Sequence, residues 1–193
     1  EKAFSRGAHK ATPTQWFVVK PDNTVELYVQ KIEMGQGIHT ALAQIAADEL
    51  DVPWENIRVI AATTGSPVDD PNGTGNSESV VSHYLPLRQA AATLRDMLRA
   101  DVSKTWGVAA SDLVISDGVI RHNDKSITFG EVVAQHTGEW TVPEAAPTLK
   151  SPEQFRYIGK AQGRVDLPAK IVGDAKYGHD MRLPNICLLY TSD

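Results

Sequence analysis

The chain has 193 residues, 41% of them hydrophobic and 22% charged, with a formal net charge of −5. These are values of an ordinary globular protein. Its 19 basic residues form no cluster, which argues against nucleic acid as a partner, and no apolar run approaches the length of a membrane span. A single cysteine, Cys187, excludes a disulfide framework and a cysteine-ligated iron–sulfur cluster within the chain.

In chain order, residues 1–14 read as a mobile lead-in. Gln15–Lys20 is strand-like, Pro21-Asp22-Asn23-Thr24 is a turn cluster, and Val25–Gln30 alternates apolar and polar side chains, so a hairpin is expected. From Ile38 to Leu50, Ile38, Ala41, Leu42, Ile45, Ala46 and Leu50 recur at three-to-four spacing, which predicts a helix with that face in the core. Asp48 and Glu49 fall on the other side and are expected in solvent. Asp51-Val52-Pro53 stops the helix. Ile57–Ala62 reads as a further strand. A loop from Thr63 to Asn76 follows, and a loop of this length in a compact domain is often functional.

Ser77–Trp106 is mostly helical, with Leu87, Ala91, Leu94, Leu98 and Val102 on one face. Pro86 either kinks this helix or marks its start. Leu113–Ser116 and Val119–His122, joined by Asp117-Gly118, predict a small hairpin, and Phe129–His136 a short helix. Trp140–Gln154 is Pro-rich and extended. The organisation expected is a main module over 15–138, a linker over 139–163, and the start of a second domain over 164–185.

Two stretches have the composition of a ligand site. In Met34-Gly35-Gln36-Gly37 two glycines let the backbone turn sharply and approach a bulky group. The helix that follows presents N–H groups and a positive dipole end, a seat for an anion such as phosphate. The same pattern also serves as a plain strand-to-helix connection. Gln36 offers an amide donor and acceptor, or else points at water, and Met34 as a lone methionine fills a core by default. In the second stretch, Gly73–Ser79, Gly75, Asn76, Ser77 and Ser79 offer donors to phosphate oxygens, although Ser77 or Ser79 as a helix N-cap is the commoner arrangement. His39 is a proton relay near a ligand or an exposed first-turn residue. Asp69-Asp70 is a cation site lacking a third ligand, or a solvated loop. No paired His/Cys spacing points to zinc, and neither Gly-x-Ser-x-Gly nor a P-loop sequence occurs.

Glu33-Met34-Gly35-Gln36-Gly37 before a helix, then Glu49-Leu50-Asp51-Val52-Pro53-Trp54, resembles the molybdenum-binding large subunit of the xanthine dehydrogenase/aldehyde oxidase superfamily. Within it the chain is most similar to the branch of the isoquinoline 1-oxidoreductase beta subunits, which includes membrane-associated aldehyde dehydrogenases. The resemblance continues through Gly73–Ser79, Trp106-Gly107-Val108, Asp117-Gly118-Val119, Leu149-Lys150, Phe155–Lys160, Arg164–Lys170 and Gly178–Pro184. It covers residues 13–185, in order.

The resemblance implies an α/β (α+β) molybdopterin-cofactor-binding domain, followed by the start of a hammerhead-like α+β domain. It implies that Met34, Gly35, Gln36, Gly37, Gly75, Asn76, Ser77 and Ser79 lie at a molybdenum-pyranopterin cofactor of the cytosine dinucleotide type. Where related chains read Gly-Gly-Ser-Thr-Ser, Asn76 and Glu78 replace Gly and Thr. A carboxylate at Glu78 is unfavourable beside an anionic cofactor unless it points away.

The implied activity is oxidation of aldehydes or N-heterocycles with water as the oxygen source. The catalytic glutamate base is expected far toward the C-terminus, outside this chain. The implied partners are a small subunit carrying 2Fe–2S clusters and a cytochrome c, and the implied location is periplasmic or membrane-associated. A cofactor-free binding or scaffold domain of the same fold is the alternative function.

The last residues break the pattern. Cys187-Leu188-Leu189-Tyr190-Thr191-Ser192 resembles a translated transposon-end sequencing adaptor, so residues 186–193 are expected to be read-through, and such segments stand outside fold reasoning.

Overall fold

The computed structural model describes residues 13–62, 73–182 and 184. Most of the expected lead-in, Asp69-Asp70 and the adaptor-like tail lie outside these residues. The chain opens on a short helix, α1 (Pro13–Trp16), which runs directly into β1 (Phe17–Val19). Gln15 and Trp16 are therefore helical, where the apolar run suggests strand. Trp16 is buried there, its ring edge-on to His83 with centroids 5.5 Å apart. A tertiary contact outweighs the local β preference.

β2 (Val25–Val29) pairs antiparallel with β1, Phe17 opposite Leu27. Val25, Leu27 and Val29 are buried while Glu26 and Tyr28 are half-buried, the period-two pattern of a strand with one face in the core. The Gly-rich connection and helix α2 (Ile38–Leu50) then cross to β3 (Ile57–Ala61), which pairs parallel to β2 with Val25 opposite Ile57. This is a β-α-β unit, in which a helix must cover the sheet between parallel strands. The long helix α3 (Ser79–Trp106) packs against α2. It runs through Pro86, which is thus not its start. Leu87, Ala90, Ala91, Leu98 and Val102 of α3 join the same buried cluster as Leu42, Ile45, Ala46 and Leu50 of α2.

A second antiparallel sheet follows: β4 (Val114–Ser116), β5 (Val119–His122) and β6 (Lys125–Thr128). The expected hairpin thus carries a third strand. α4 (Phe129–Gln135) starts on a capping box in which Thr128 Oγ1 accepts from Glu131 N at 3.1 Å and Glu131 Oε2 accepts from Thr128 N at 2.8 Å. Two N–H groups are satisfied reciprocally. Gly130 lies against the β1–β2 turn, so a Cβ there would sit 2.5 Å from Pro21 O and 2.6 Å from Lys20 O. Residues 139–163 run without helix or strand apart from one 3-10 turn, Pro152–Gln154, and α5 (Leu167–Ile171) follows.

Asp48 and Glu49 depart most from the sequence expectation. Both are 0% exposed. Asp48 accepts backbone N–H groups from Arg156 at 2.7 Å, Tyr157 at 3.1 Å and Ile158 at 2.7 Å. Glu49 accepts from Lys150 N at 2.9 Å and from Arg88 Nε at 2.8 Å. Arg95 lies 3.5 Å from the Glu49 carboxylate, and donates to Glu49 O at 2.8 Å and Thr148 O at 2.7 Å. The polar side of α2 is therefore covered by the run 148–158. Heptad-like spacing identifies which face is apolar, but not whether a remote segment roofs the other face.

Removing one member of a buried, hydrogen-bonded charge group leaves charged partners short of a counter-charge, a loss of about 3–5 kcal/mol. Glu49→Ala should therefore lower the melting temperature by roughly 10 °C. Glu26→Ala, which breaks a 3.3 Å pair with the exposed Lys20, should change stability by less than about 1 kcal/mol. Equal shifts in thermal melts of the two variants would refute the assignment of Glu49 as a core element. Gly130→Ala should cost about 1–3 kcal/mol by forcing α4 off the turn, read as a lower urea midpoint. An unchanged midpoint would mean the contact yields without cost.

Candidate functional site

The first candidate stretch forms a tight turn between β2 and α2. Gly35 has φ 106° and Gly37, the N-cap of α2, has φ 81°. These are left-handed conformations that side chains resist. Among the described residues, space beyond both glycines is open, since a Cβ at either would meet nothing within 4 Å.

Part of the helix N-terminus at this turn is already taken by a carboxylate of the chain itself. Glu33 Oε1 accepts from Gly35 N at 2.8 Å and Gly37 N at 2.9 Å, and Oε2 accepts from His39 N at 3.2 Å. Burial pushes the Glu33 carboxyl pKa up, but the N–H groups of Gly37, His39 and Gly35 outweigh it and hold the group below its ordinary 4.5. The anion seat expected at Gly35–Gly37 is thus partly filled from within, by a residue the sequence does not single out as a ligand. An acidic residue shortly before a helix start was the available signal.

Gln36 is exposed, and its side chain folds back on its own loop. Oε1 accepts from Met34 N at 2.6 Å and Nε2 donates to Ile32 O at 2.8 Å. A primary amide has two N–H donors and two acceptor lone pairs, so one of each remains on an amide fixed in orientation. Met34 is 68% exposed and fills no core. His39 is half-buried rather than exposed, with Nε2 2.9 Å from Lys31 O.

The second stretch meets the first. Ile32 N donates to Thr74 Oγ1 at 2.8 Å, and the Lys31 ammonium donates to Gly73 O. The loops are joined through Gly73 and Thr74, just ahead of Gly75, Asn76, Ser77 and Ser79. Asn76 and Ser77 hold left-handed backbone at φ 53° and 56°. Their side chains and that of Ser79 make no hydrogen bond among the described residues. Neither serine caps α3: the N-cap is Glu78, without a side-chain bond. The Glu78 side chain is exposed.

Among the described residues, open space beyond Gly35, Gly37, Gly73 and Gly75, a half-used Gln36 amide and three uncommitted polar side chains leave room and hydrogen-bonding groups for a polar, many-atom ligand. No group of three or more His, Cys, Asp or Glu able to hold a metal ion occurs among the described residues. A cleft of about 600 Å³ flanks the turn, lined in part by His39, Arg58, Arg164 and Asp166.

Comparison with known proteins gives the family of the chain. A family model described as a molybdopterin cofactor-binding domain matches residues 3–168. One chain of the nicotinate dehydrogenase of Pseudomonas putida is 34% identical over 172 residues, covering 89% of this chain and 14% of that protein. The beta chain of isoquinoline 1-oxidoreductase of Brevundimonas diminuta is 31% identical over an alignment covering 91% of this chain and 27% of that protein. A membrane-bound aldehyde dehydrogenase of Gluconacetobacter polyoxogenes, named for pyrroloquinoline quinone, is 33% identical, with 89% and 22% covered. Among solved structures, quinoline 2-oxidoreductase from Pseudomonas putida superposes with a TM-score of 0.51 at 27% identity, over 65% of this chain and 17% of that one. The chain thus spans about a quarter or less of the length of these relatives. By sequence and by fold, it belongs to the molybdopterin cofactor-binding domain family.

Proposed function

We propose that this chain supplies part of the pyranopterin seat in the large subunit of a molybdenum hydroxylase that oxidises aldehydes or N-heterocycles. The observation that carries the proposal is the join between the Gly35-Gln36-Gly37 and Gly73–Ser79 loops, made through Ile32 and Thr74, in a chain matching the molybdopterin-binding family over residues 3–168. When bound, the molybdenum cofactor supplies two-electron redox chemistry that hydroxylates a carbon with oxygen from water.

The residues of this chain bind and orient. The Gln36 amide, held by Met34 N and Ile32 O, offers one donor and one acceptor to the cofactor. Asn76, Ser77 and Ser79 offer donors to phosphate oxygens, and the glycines let the backbone approach. With part of the α2 N-terminus taken by Glu33, phosphate contacts fall to the Gly73–Ser79 side. No residue here is assigned the general base.

Relatives named for nicotinate, isoquinoline and quinoline support an N-heterocycle, and one named for aldehydes supports the other substrate class. That last relative is named for a different cofactor. The family model decides for the pterin because it describes this segment rather than a whole relative. The cytosine dinucleotide form of the cofactor, a partner subunit with 2Fe–2S clusters, a cytochrome c as further acceptor and a periplasmic or membrane-associated location complete the proposal. The Glu33 plug and the Asn76 and Glu78 departures from the family pattern favour a cofactor-free scaffold instead.

Cofactor content separates the two readings. In the enzyme containing this chain, Gln36→Ala removes a bond worth about 1.5–3 kcal/mol to a charged ligand, a ten- to hundredfold loss in affinity. Molybdenum content and turnover should fall while the melting temperature stays near the parent's. Unchanged molybdenum content and turnover would remove Gln36 from the site, and an enzyme purified without molybdenum or pterin would establish the scaffold reading.

A further inference from the structure

We infer that Glu33 and Arg164 are positioning residues that set the Gly35-Gln36-Gly37 loop, so that the loop takes its ligand-facing shape only when the segment 163–170 is docked on it. The inference rests on the reading of this loop as part of the cofactor seat. Arg164 Nη1 donates to Gly35 O at 2.8 Å, across 129 residues of sequence. Its Nη2 reaches Glu33 Oε1 at 3.2 Å, the same oxygen that accepts from Gly35 N and Gly37 N. Gln36 therefore sits between two residues that are both fixed, Gly35 through its N–H and carbonyl and Gly37 through its N–H.

The anchoring side is equally defined. Arg164 Nε and Nη2 form a two-pronged pair with Asp166, at 2.9 Å to Oδ1 and 2.8 Å to Oδ2. Lys170 bonds the same carboxylate. Val165 N donates to Thr40 Oγ1 at 3.1 Å, tying this segment to the first turn of α2. Glu33 and Asp166 balance Arg164 and Lys170 in charge.

An isolated exposed ion pair would be worth little. Here the Glu33 side chain is only 9% exposed, and the planar fork of arginine fixes geometry as well as charge. The glycines on either side of Gln36 supply no stiffness of their own, so the constraint has to come from outside the turn.

Hydrogen–deuterium exchange of the protein and its pterin content, read as fluorescence of the released oxidised pterin, test the inference together. Arg164→Ala and Glu33→Gln should speed exchange of the amides at 33–39 roughly fivefold, the effect of losing about one hydrogen bond. Amides at 42–50 should not change, and pterin content should fall several-fold. Arg164→Lys, which keeps the charge and loses the fork, should lie between parent and Arg164→Ala. Unchanged exchange at 33–39 overturns the inference. Faster exchange along the whole of α2 also overturns it, because Arg164 is then general scaffold. Local loosening with full pterin content, in a protein whose Gln36→Ala variant loses pterin, overturns the link to the ligand and leaves the cofactor reading standing. A parent protein without pterin defeats the cofactor reading, while the local exchange still decides whether Arg164 and Glu33 set the loop.

Discussion

Two adjacent carboxylates buried on α2 hold this structure together. Asp48 and Glu49 are 0% exposed, and an unpaired buried charge would cost more than most single interactions return. Their burial is viable because the remainder of the molecule is arranged as their hydrogen-bond partner. Asp48 gathers three consecutive backbone N–H groups, those of Arg156, Tyr157 and Ile158. Glu49 gathers Arg88 from α3 and Lys150 N from the extended run. One turn of helix thus specifies where α3 lies and where the chain returns after the second sheet. Gln44 extends the arrangement one turn back, with Nε2 donating to Tyr157 O and Lys160 O at 2.8 Å each.

That constraint explains which features can be read from the sequence. The period-two pattern of Val25, Leu27 and Val29 and the three-to-four spacing of Ile38, Leu42, Ile45 and Leu50 are local, and the structure follows them. The hairpin around Asp117-Gly118 is also local, with both turn residues at positive φ. Asp48 and Glu49 fail the same test because their partners lie 39 to 110 residues away. A charged side chain reads as solvated unless the covering segment is known. Trp16 fails for a related reason: its contact with His83 is made by tertiary packing.

The site was legible at the level of the motif, and its chemistry was not. Gly35, Gln36 and Gly37 stand out by composition. Glu33 does not, although it decides what the turn can bind. Each N–H it takes is unavailable to an external anion. A glycine turn ahead of a helix is therefore insufficient to assign phosphate binding to that helix end. The resemblance pointed to the correct family, while the anion seat read from the glycine turn and the helix end is in part occupied by an internal carboxylate. Among the described site residues, uncommitted side-chain polar groups are found on Gln36, on the α2 side, and on Asn76, Ser77 and Ser79.

Helix α2 accordingly has two ends with different work. Its C-terminal half is fixed by charges facing the run 148–158, in the best-buried part of the molecule. Its N-terminal turn carries a loop whose glycines face open space and whose shape depends on bonds from Glu33 and Arg164. A rigid element that presents an adaptable loop is a common solution for binding, since scaffold precision and close backbone approach make opposite demands on side chains. Here both demands fall on a single helix of 13 residues. A substitution in the Asp48–Glu49 group can therefore disturb the loop through the position of α2, without touching any residue of the loop itself.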